Sequence, residues 1–190
     1  MESQQKPSLT YIPRNAESRL KHFASGYPVL VVTGPRQSGK STLVRHAFPE
    51  HRYVSLEDLD QREFAETDPR GFLNQFSEGA ILDEAQRCPA LFSYLQTRVD
   101  ERQQPGEFIL TGSQRFGLLS GITQSLAGRA ALLTLLPMTY DELQRAEKVG
   151  RNLDKILFDG AFPPSSTADL NHIPGMETMC ALTWNETSGN

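Results

Sequence analysis

A chain of 190 residues with 38% hydrophobic content can bury one sizeable core, whereas two full domains would be cramped. Its formal net charge of −4, with 22% charged residues, gives no sign of a basic nucleic-acid arm or a polybasic membrane patch, while leaving room for a local basic groove. Two cysteines, Cys88 and Cys180, stand far apart and outside any CxxC or Cys/His cluster, which indicates neither a disulfide framework nor a zinc site. His22, His46, His51 and His172 show no ligand spacing. The N-terminal MESQQKPSLTYIPR lacks the apolar stretch of a secretory signal, and no run reaches the roughly 18 apolar residues that spanning a bilayer requires. The expected location is the cytoplasm.

In chain order, residues 14–24 (RNAESRLKHFA) place Leu20 and Phe23 at helical spacing before a Gly26-Tyr27-Pro28 stop, which predicts a short helix. Residues 29–33 (VLVVT) form the continuous β-branched and apolar run of a strand buried on both faces. A Gly-rich loop follows, then a predicted helix over 41–48 and a second strand over 52–56. Between 57 and 77 one or two helices fit, with Asp68-Pro69 as N-cap and first helical residue. A third strand is expected at 80–83 (AILD), an amphipathic helix at 89–101 and a fourth strand at 108–111 (FILT). A helix at 117–126, a fifth strand at 130–136 and a helix at 139–147 complete the pattern. Five apolar strands separated by helices imply right-handed crossovers and an α/β fold, a mostly parallel sheet covered by helices on both faces.

The string GPRQSGKS runs from Gly34 through Pro35, Arg36, Gln37, Ser38, Gly39 and Lys40 to Ser41, with Thr42 next. It matches the phosphate-loop pattern G-x-x-x-x-G-K-[ST], between a predicted strand and a predicted helix. Glycines let such a loop curl its N–H groups around an anion, and the following helix presents its positive end to the same anion. Lys40 would reach the β and γ phosphates of a nucleotide, and the Ser41 hydroxyl would coordinate magnesium. Arg36 holds a position that commonly faces solvent. An ordinary glycine loop with a solvated lysine is the competing reading.

The strand AILD delivers Asp83 to the carboxyl edge of the sheet, where open α/β sheets bind ligands, within reach of magnesium directly or through water. Glu84 then faces the γ-phosphate side and can polarise an attacking water, the general-base role of a hydrolase. Taken alone, Asp-Glu after a strand is a solvated turn. Thr111, ahead of Gly112, Ser113 and Gln114, could bond the γ-phosphate or the water, and a helix cap by Ser113 competes with that role. Arg129, just before the fifth strand, could neutralise phosphoryl charge in its own site or in a neighbouring subunit's, or merely cover the helix–strand turn. No Asn-Lys-x-Asp base-reading string occurs, which favours ATP over GTP.

The order of these motifs, GPRQSGKSTL, ILDEAQRCPALFSYLQ, FILTGSQ and LAGRAALLTLLPMTYDEL with GAFPP at 160–164, resembles prokaryotic AAA-superfamily P-loop ATPases whose ATP-binding domain precedes a C-terminal region of the DUF4143 type. The resemblance covers about residues 11–164. It implies a three-layer α/β/α sheet of strand order 5-1-4-3-2, ATP and Mg2+ as ligands, and Lys40, Ser41, Asp83 and Glu84 in the roles given above. It adds weight to Thr111 and Arg129, and it divides the chain into an ATP-binding domain, 1–164, and a tail, 165–190. After Pro164 such proteins continue with a segment resembling WYxxYVxTYLERDVR, where this chain reads NHIPGMETMCALTWNETSGN. Reading the codons of residues 173–190 from their third base permits Trp-Tyr-Gly-Asn-Tyr-Val-Arg-Thr-Tyr-Leu-Glu-Arg-Asp-Val-Arg, with the Gly, the Val and the Glu forced. The expectation is a frameshift near Ser165 and an out-of-frame, unstructured tail, with a divergent genuine tail as the alternative.

The functional expectation is a magnesium-dependent ATPase core. Its rival on the same fold is a nucleotide-dependent switch with little or no turnover. A small-acceptor kinase would want an arginine-rich lid, which is not legible here. A homo-oligomer is compatible with Arg129 serving a neighbouring subunit, and neither nucleic acid nor a membrane is indicated as a partner.

Overall fold

Val29, Leu30, Val31 and Val32 are all fully buried, as an apolar run without polar alternation requires. They open an interior strand of the sheet, paired on both sides. The structure, a computed structural model, describes residues 11–113, 122 and 124–145. Within them the chain runs α1 (Glu17–Gly26), β1 (Val29–Gly34), α2 (Lys40–Ala47), β2 (Arg52–Ser55), α3 (Leu59–Thr67) and α4 (Pro69–Asn74). It continues with β3 (Ala80–Asp83), a 3-10 turn (Ala85–Arg87), α5 (Leu91–Arg102), β4 (Phe108–Ser113), β5 (Ala130–Thr134) and α6 (Tyr140–Arg145).

The five strands form one sheet in the order β2-β3-β4-β1-β5, which is 5-1-4-3-2 read from the other edge, and every pairing is parallel. Alternate strand residues serve opposite faces. Val29, Val31, Leu82, Phe108 and Leu110 pack with Phe72, Leu91, Phe92 and Leu95 of α4 and α5, while Leu30, Val32, Ile81 and Ile109 pack with Leu20 of α1 and Leu43 and Val44 of α2. The connection after β1 leads toward β2 and the one after β4 leads past β1 to β5. Connectivity therefore reverses at the carboxyl ends of β1 and β4, the place where such sheets hold ligands.

Local chemistry sets several boundaries. Asp68 accepts from the Gly71 N–H at 2.9 Å with Pro69 opening α4, as the sequence predicts. Thr139 and Glu142 cap α6 reciprocally: the Thr139 N–H donates to Glu142 Oε2 at 2.8 Å and the Glu142 N–H to Thr139 Oγ1 at 3.3 Å. Strand β4 runs on to Ser113 instead of ending at Thr111, because Ser113 pairs with Gly34 of β1, and two further boundaries move for tertiary reasons. Helix α1 starts at Glu17 rather than Arg14 because Arg14 and Asn15 are bound elsewhere, Asn15 N–H donating to Glu142 Oε1 at 2.6 Å. Strand β5 ends at Thr134 rather than Leu136, whose carbonyl accepts from Arg14 at 2.7 Å. Most of the predicted helix over 117–126, Gln114, residues 146–147, the GAFPP string and the tail over 165–190 lie outside the described residues. Among the described residues no helix is long and apolar enough to cross a membrane.

Candidate functional site

The loop from Gly34 to Ser41 leaves the carboxyl end of β1 and runs directly into α2. Its curl depends on positive φ at Gly34 (150°), Gln37 (61°) and Gly39 (87°). At Gly34 the requirement is also steric, because a Cβ there would lie 2.1 Å from the Leu135 carbonyl oxygen. That carbonyl cannot retreat freely, since the Leu135 N–H is held by Thr33 O at 2.7 Å. Gly34→Ala should therefore destabilise the protein by about 3 kcal/mol, measured by denaturant unfolding. A change under about 1 kcal/mol would show that the contact relaxes.

Ser38 is fully buried, while Arg36, Gln37 and Thr42 are exposed and Ser41 is intermediate. Lys40 is 6% exposed and lies folded across the loop, with Nζ donating to Pro35 O at 2.8 Å and Gly34 O at 3.2 Å. Burial pulls its pKa below the ordinary lysine value, against the Glu84 and Asp83 carboxylates, which raise it. The charge of Arg36 adds to the lowering, so Arg36 is felt electrostatically at Lys40.

Asp83, the last residue of β3, gathers three hydroxyls. Ser41 Oγ donates to its Oδ2 at 2.9 Å, Tyr53 of β2 donates to the same oxygen, and Thr111 of β4 donates to Oδ1. Burial and the neighbouring carboxylate push the Tyr53 phenol well above its ordinary pKa, so it remains a donor. The Arg45 guanidinium lies 4.8 Å over its ring. Glu84 follows at once in a left-handed conformation (φ 55°, ψ 44°), a strained state for a non-glycine residue that turns the chain sharply off the strand. The Gln86 side-chain amide donates to the Glu84 carboxylate.

Lys40, Ser41, Asp83 and Glu84 thus come together at one edge of the sheet. Thr111 joins them through Asp83, two residues inside the strand end, and Ser113 rather than Thr111 pairs in register with Gly34. Arg129 is not brought there. It immediately precedes Ala130, which pairs with Val29 at the start of β1, on the opposite edge of the sheet. Gly34 is five residues further along, about 16 Å at strand rise. The Arg129 guanidinium pairs with Asp100 of α5, Nη2 lying 2.9 Å from Oδ2. The same edge holds the buried Glu107, paired with Arg98 at 3.2 Å and Arg102 at 3.3 Å. Tyr53, Gln86, Arg14 and Glu142 were not singled out from the sequence. Only Glu142 carries a legible signal, the Thr-x-x-Glu spacing of a capping box.

A family model described as an AAA domain matches residues 26–144, which include the loop, the Asp83–Glu84 pair and β5. The chain belongs to the AAA domain family. This AAA domain is 35% identical over 161 residues to two relatives, Uncharacterized protein Rv2008c of Mycobacterium tuberculosis and Uncharacterized protein Mb2031c of Mycobacterium bovis. The match takes in 83% of this chain and 35% of each relative, so the chain spans about a third of their length. Among solved structures, the Walker-type ATPase PABY2304 of Pyrococcus abyssi superposes with a TM-score of 0.51 at 20% identity, over 76% of this chain and 60% of that one. AMPPCP-bound DnaA from Aquifex aeolicus superposes with a TM-score of 0.52 at 18% identity, over 76% of this chain and 55% of that one. At such identities the likeness is one of fold, that of P-loop ATPases.

Proposed function

We propose that this AAA domain is a cytoplasmic, magnesium-dependent ATPase core that hydrolyses ATP to ADP and phosphate. The observation that supports this reading is the convergence of Lys40, Ser41, Asp83 and Glu84 at the carboxyl edge where the connectivity reverses. The donor set suits magnesium: a hydroxyl and a carboxylate oxygen 2.9 Å apart are hard oxygen ligands. Sparse ligation of that kind leaves room for phosphate oxygens and water, as magnesium prefers. Bound there by Ser41 and Asp83, the ion would supply positive charge to the phosphates.

In this proposal the backbone of Gly34, Pro35, Arg36, Gln37, Ser38 and Gly39 holds the phosphates, with Thr42 beside them. Lys40 exchanges its loop carbonyls for phosphate oxygens. Tyr53 and Thr111 keep Asp83 in place, and Glu84 accepts the proton of the water that attacks the γ-phosphorus as the bond to ADP breaks. Phosphate release from ATP by the wild-type protein, with and without magnesium, tests the reading. Release that requires magnesium supports it, and absence of release while ATP still binds moves the function to a nucleotide-dependent switch. One contact favours that second reading: the Gln86 amide donates to one oxygen of the Glu84 carboxylate.

For Arg129 the proposed place of action is a neighbouring subunit's site, since its own lies across the sheet. Arg129→Ala should leave ATP affinity unchanged and reduce turnover at least about tenfold. Specific turnover of the wild type should then rise with protein concentration, and a flat dependence would remove this role. The out-of-frame origin of residues 165–190 is likewise a proposal, supported by the codon arithmetic alone. Sequencing the coding DNA from about codon 155 tests it, because the proposal requires a neighbouring frame that reads on through Tyr-Leu-Glu-Arg-Asp-Val-Arg.

A further inference from the structure

Among the described residues Arg14 is the only buried arginine, at 7% exposure, and it lies before the matched 26–144 segment. Its planar fork joins three pieces of chain. Nη1 donates to Ser38 O at 2.7 Å and Nη2 donates to Leu136 O at 2.7 Å, while Nε, which makes no hydrogen bond, lies 3.2 Å from Glu142 Oε1 in an ion pair. Glu142, 2% exposed, is itself held by the N–H groups of Asn15 and Thr139. Burial alone would raise its pKa, but those two N–H groups and Arg14 outweigh burial and hold the carboxyl below its ordinary value, hence ionised. A buried ion pair adds little net stability over a well-packed apolar pair, so its placement calls for a reason other than stability.

The Ser38 carbonyl supplies one. It belongs to the peptide that joins Ser38 to Gly39, immediately before Lys40. In a trans peptide the C=O and N–H point opposite ways, so a carbonyl held against Arg14 turns the Gly39 N–H away from the guanidinium. A cation on the carbonyl also polarises the peptide and strengthens that N–H as a donor. We propose that Arg14, held by Glu142, is a positioning residue for the phosphate loop, fixing and polarising the Ser38–Gly39 peptide for a nucleotide phosphate. The inference rests on the reading of this loop as the nucleotide site.

Arg14→Lys in the full chain tests it, because one ammonium cannot reproduce a fork on Ser38 O and Leu136 O. ATP and ADP affinities are read by calorimetry, and amide hydrogen exchange at residues 37–39 is read without ligand. The expected result is a Kd raised about tenfold for both nucleotides, equivalent to one charge-assisted hydrogen bond, with faster exchange at those amides. A folded Arg14→Lys protein with Kd within twofold of wild type and unchanged exchange overturns the proposal, whatever happens to its melting temperature. If Arg14→Lys does not fold, Glu142→Gln is judged on the same two readouts. Wild-type protein that binds no ATP would sink the nucleotide reading instead, while the exchange measurement still reports on the hold of Arg14 over the loop.

Discussion

Glu84→Gln is expected to lower ATP turnover by about 10²–10⁴-fold while leaving ATP affinity within a few-fold of wild type. The amide is nearly the shape of the carboxylate but cannot accept a proton from water at neutral pH. Two structural features keep the effect on binding small. Glu84 already sits in a left-handed turn that Gln tolerates about equally, and it makes no contact with the main chain of the phosphate loop among its hydrogen bonds. Phosphate release under saturating ATP, with affinity measured separately, checks the prediction. Turnover preserved in Glu84→Gln would remove Glu84 as the base. The companion change Gln86→Ala tests whether Gln86 holds Glu84 back: turnover should rise, and unchanged or lower turnover would remove that restraint.

Lys40→Ala should act on both binding and chemistry. Removing the ammonium takes away a charge-assisted hydrogen bond to phosphate, about 10–100-fold in affinity, and a charge that matters more as the γ-phosphoryl departs, about 10²–10³-fold in turnover. The fold should survive, since Lys40 donates only to the carbonyls of Gly34 and Pro35 and takes no part in either apolar cluster. The pH dependence has a definite sign. Phosphate favours the charged lysine, so the contribution of Lys40 to wild-type affinity should be full at neutral pH and fall as pH rises through the pKa of free Lys40. Burial places that pKa below the ordinary 10.5, so the decline should begin earlier than for a solvated lysine. Lys40→Ala should lack that alkaline decline. Titrating affinity from pH 7 to about 10 in both proteins decides the matter, and parallel curves would take Lys40 out of contact with phosphate.

The amino-acid sequence by itself determined whatever depends on neighbours along the chain. The run VLVVT had to be a doubly buried strand, and GPRQSGKS carries the glycines that let a tight loop join that strand directly to the next helix. Asp83 and Glu84 reached the carboxyl edge by virtue of following AIL, and Asp68-Pro69 set a helix start through its own cap. The strand order came from resemblance to a family, since periodicity reports which face a residue takes and not which strand lies beside it.

Tertiary structure alone decided the rest. Placing β3 between β2 and β4 puts Tyr53 and Thr111 on Asp83 across separations of 30 and 28 residues. Arg14 meets Leu136 across 122 residues, and nothing near Arg14 in the sequence marks it. Arg129 looked close to the chemistry because it precedes an apolar strand, yet in a parallel sheet the start of a strand lies on the edge opposite the phosphate loop. Caps, turns and side-chain alternation act over a few residues and are written locally. Contacts over tens of residues depend on register and crossover, which are chosen by the burial of two whole apolar faces at once.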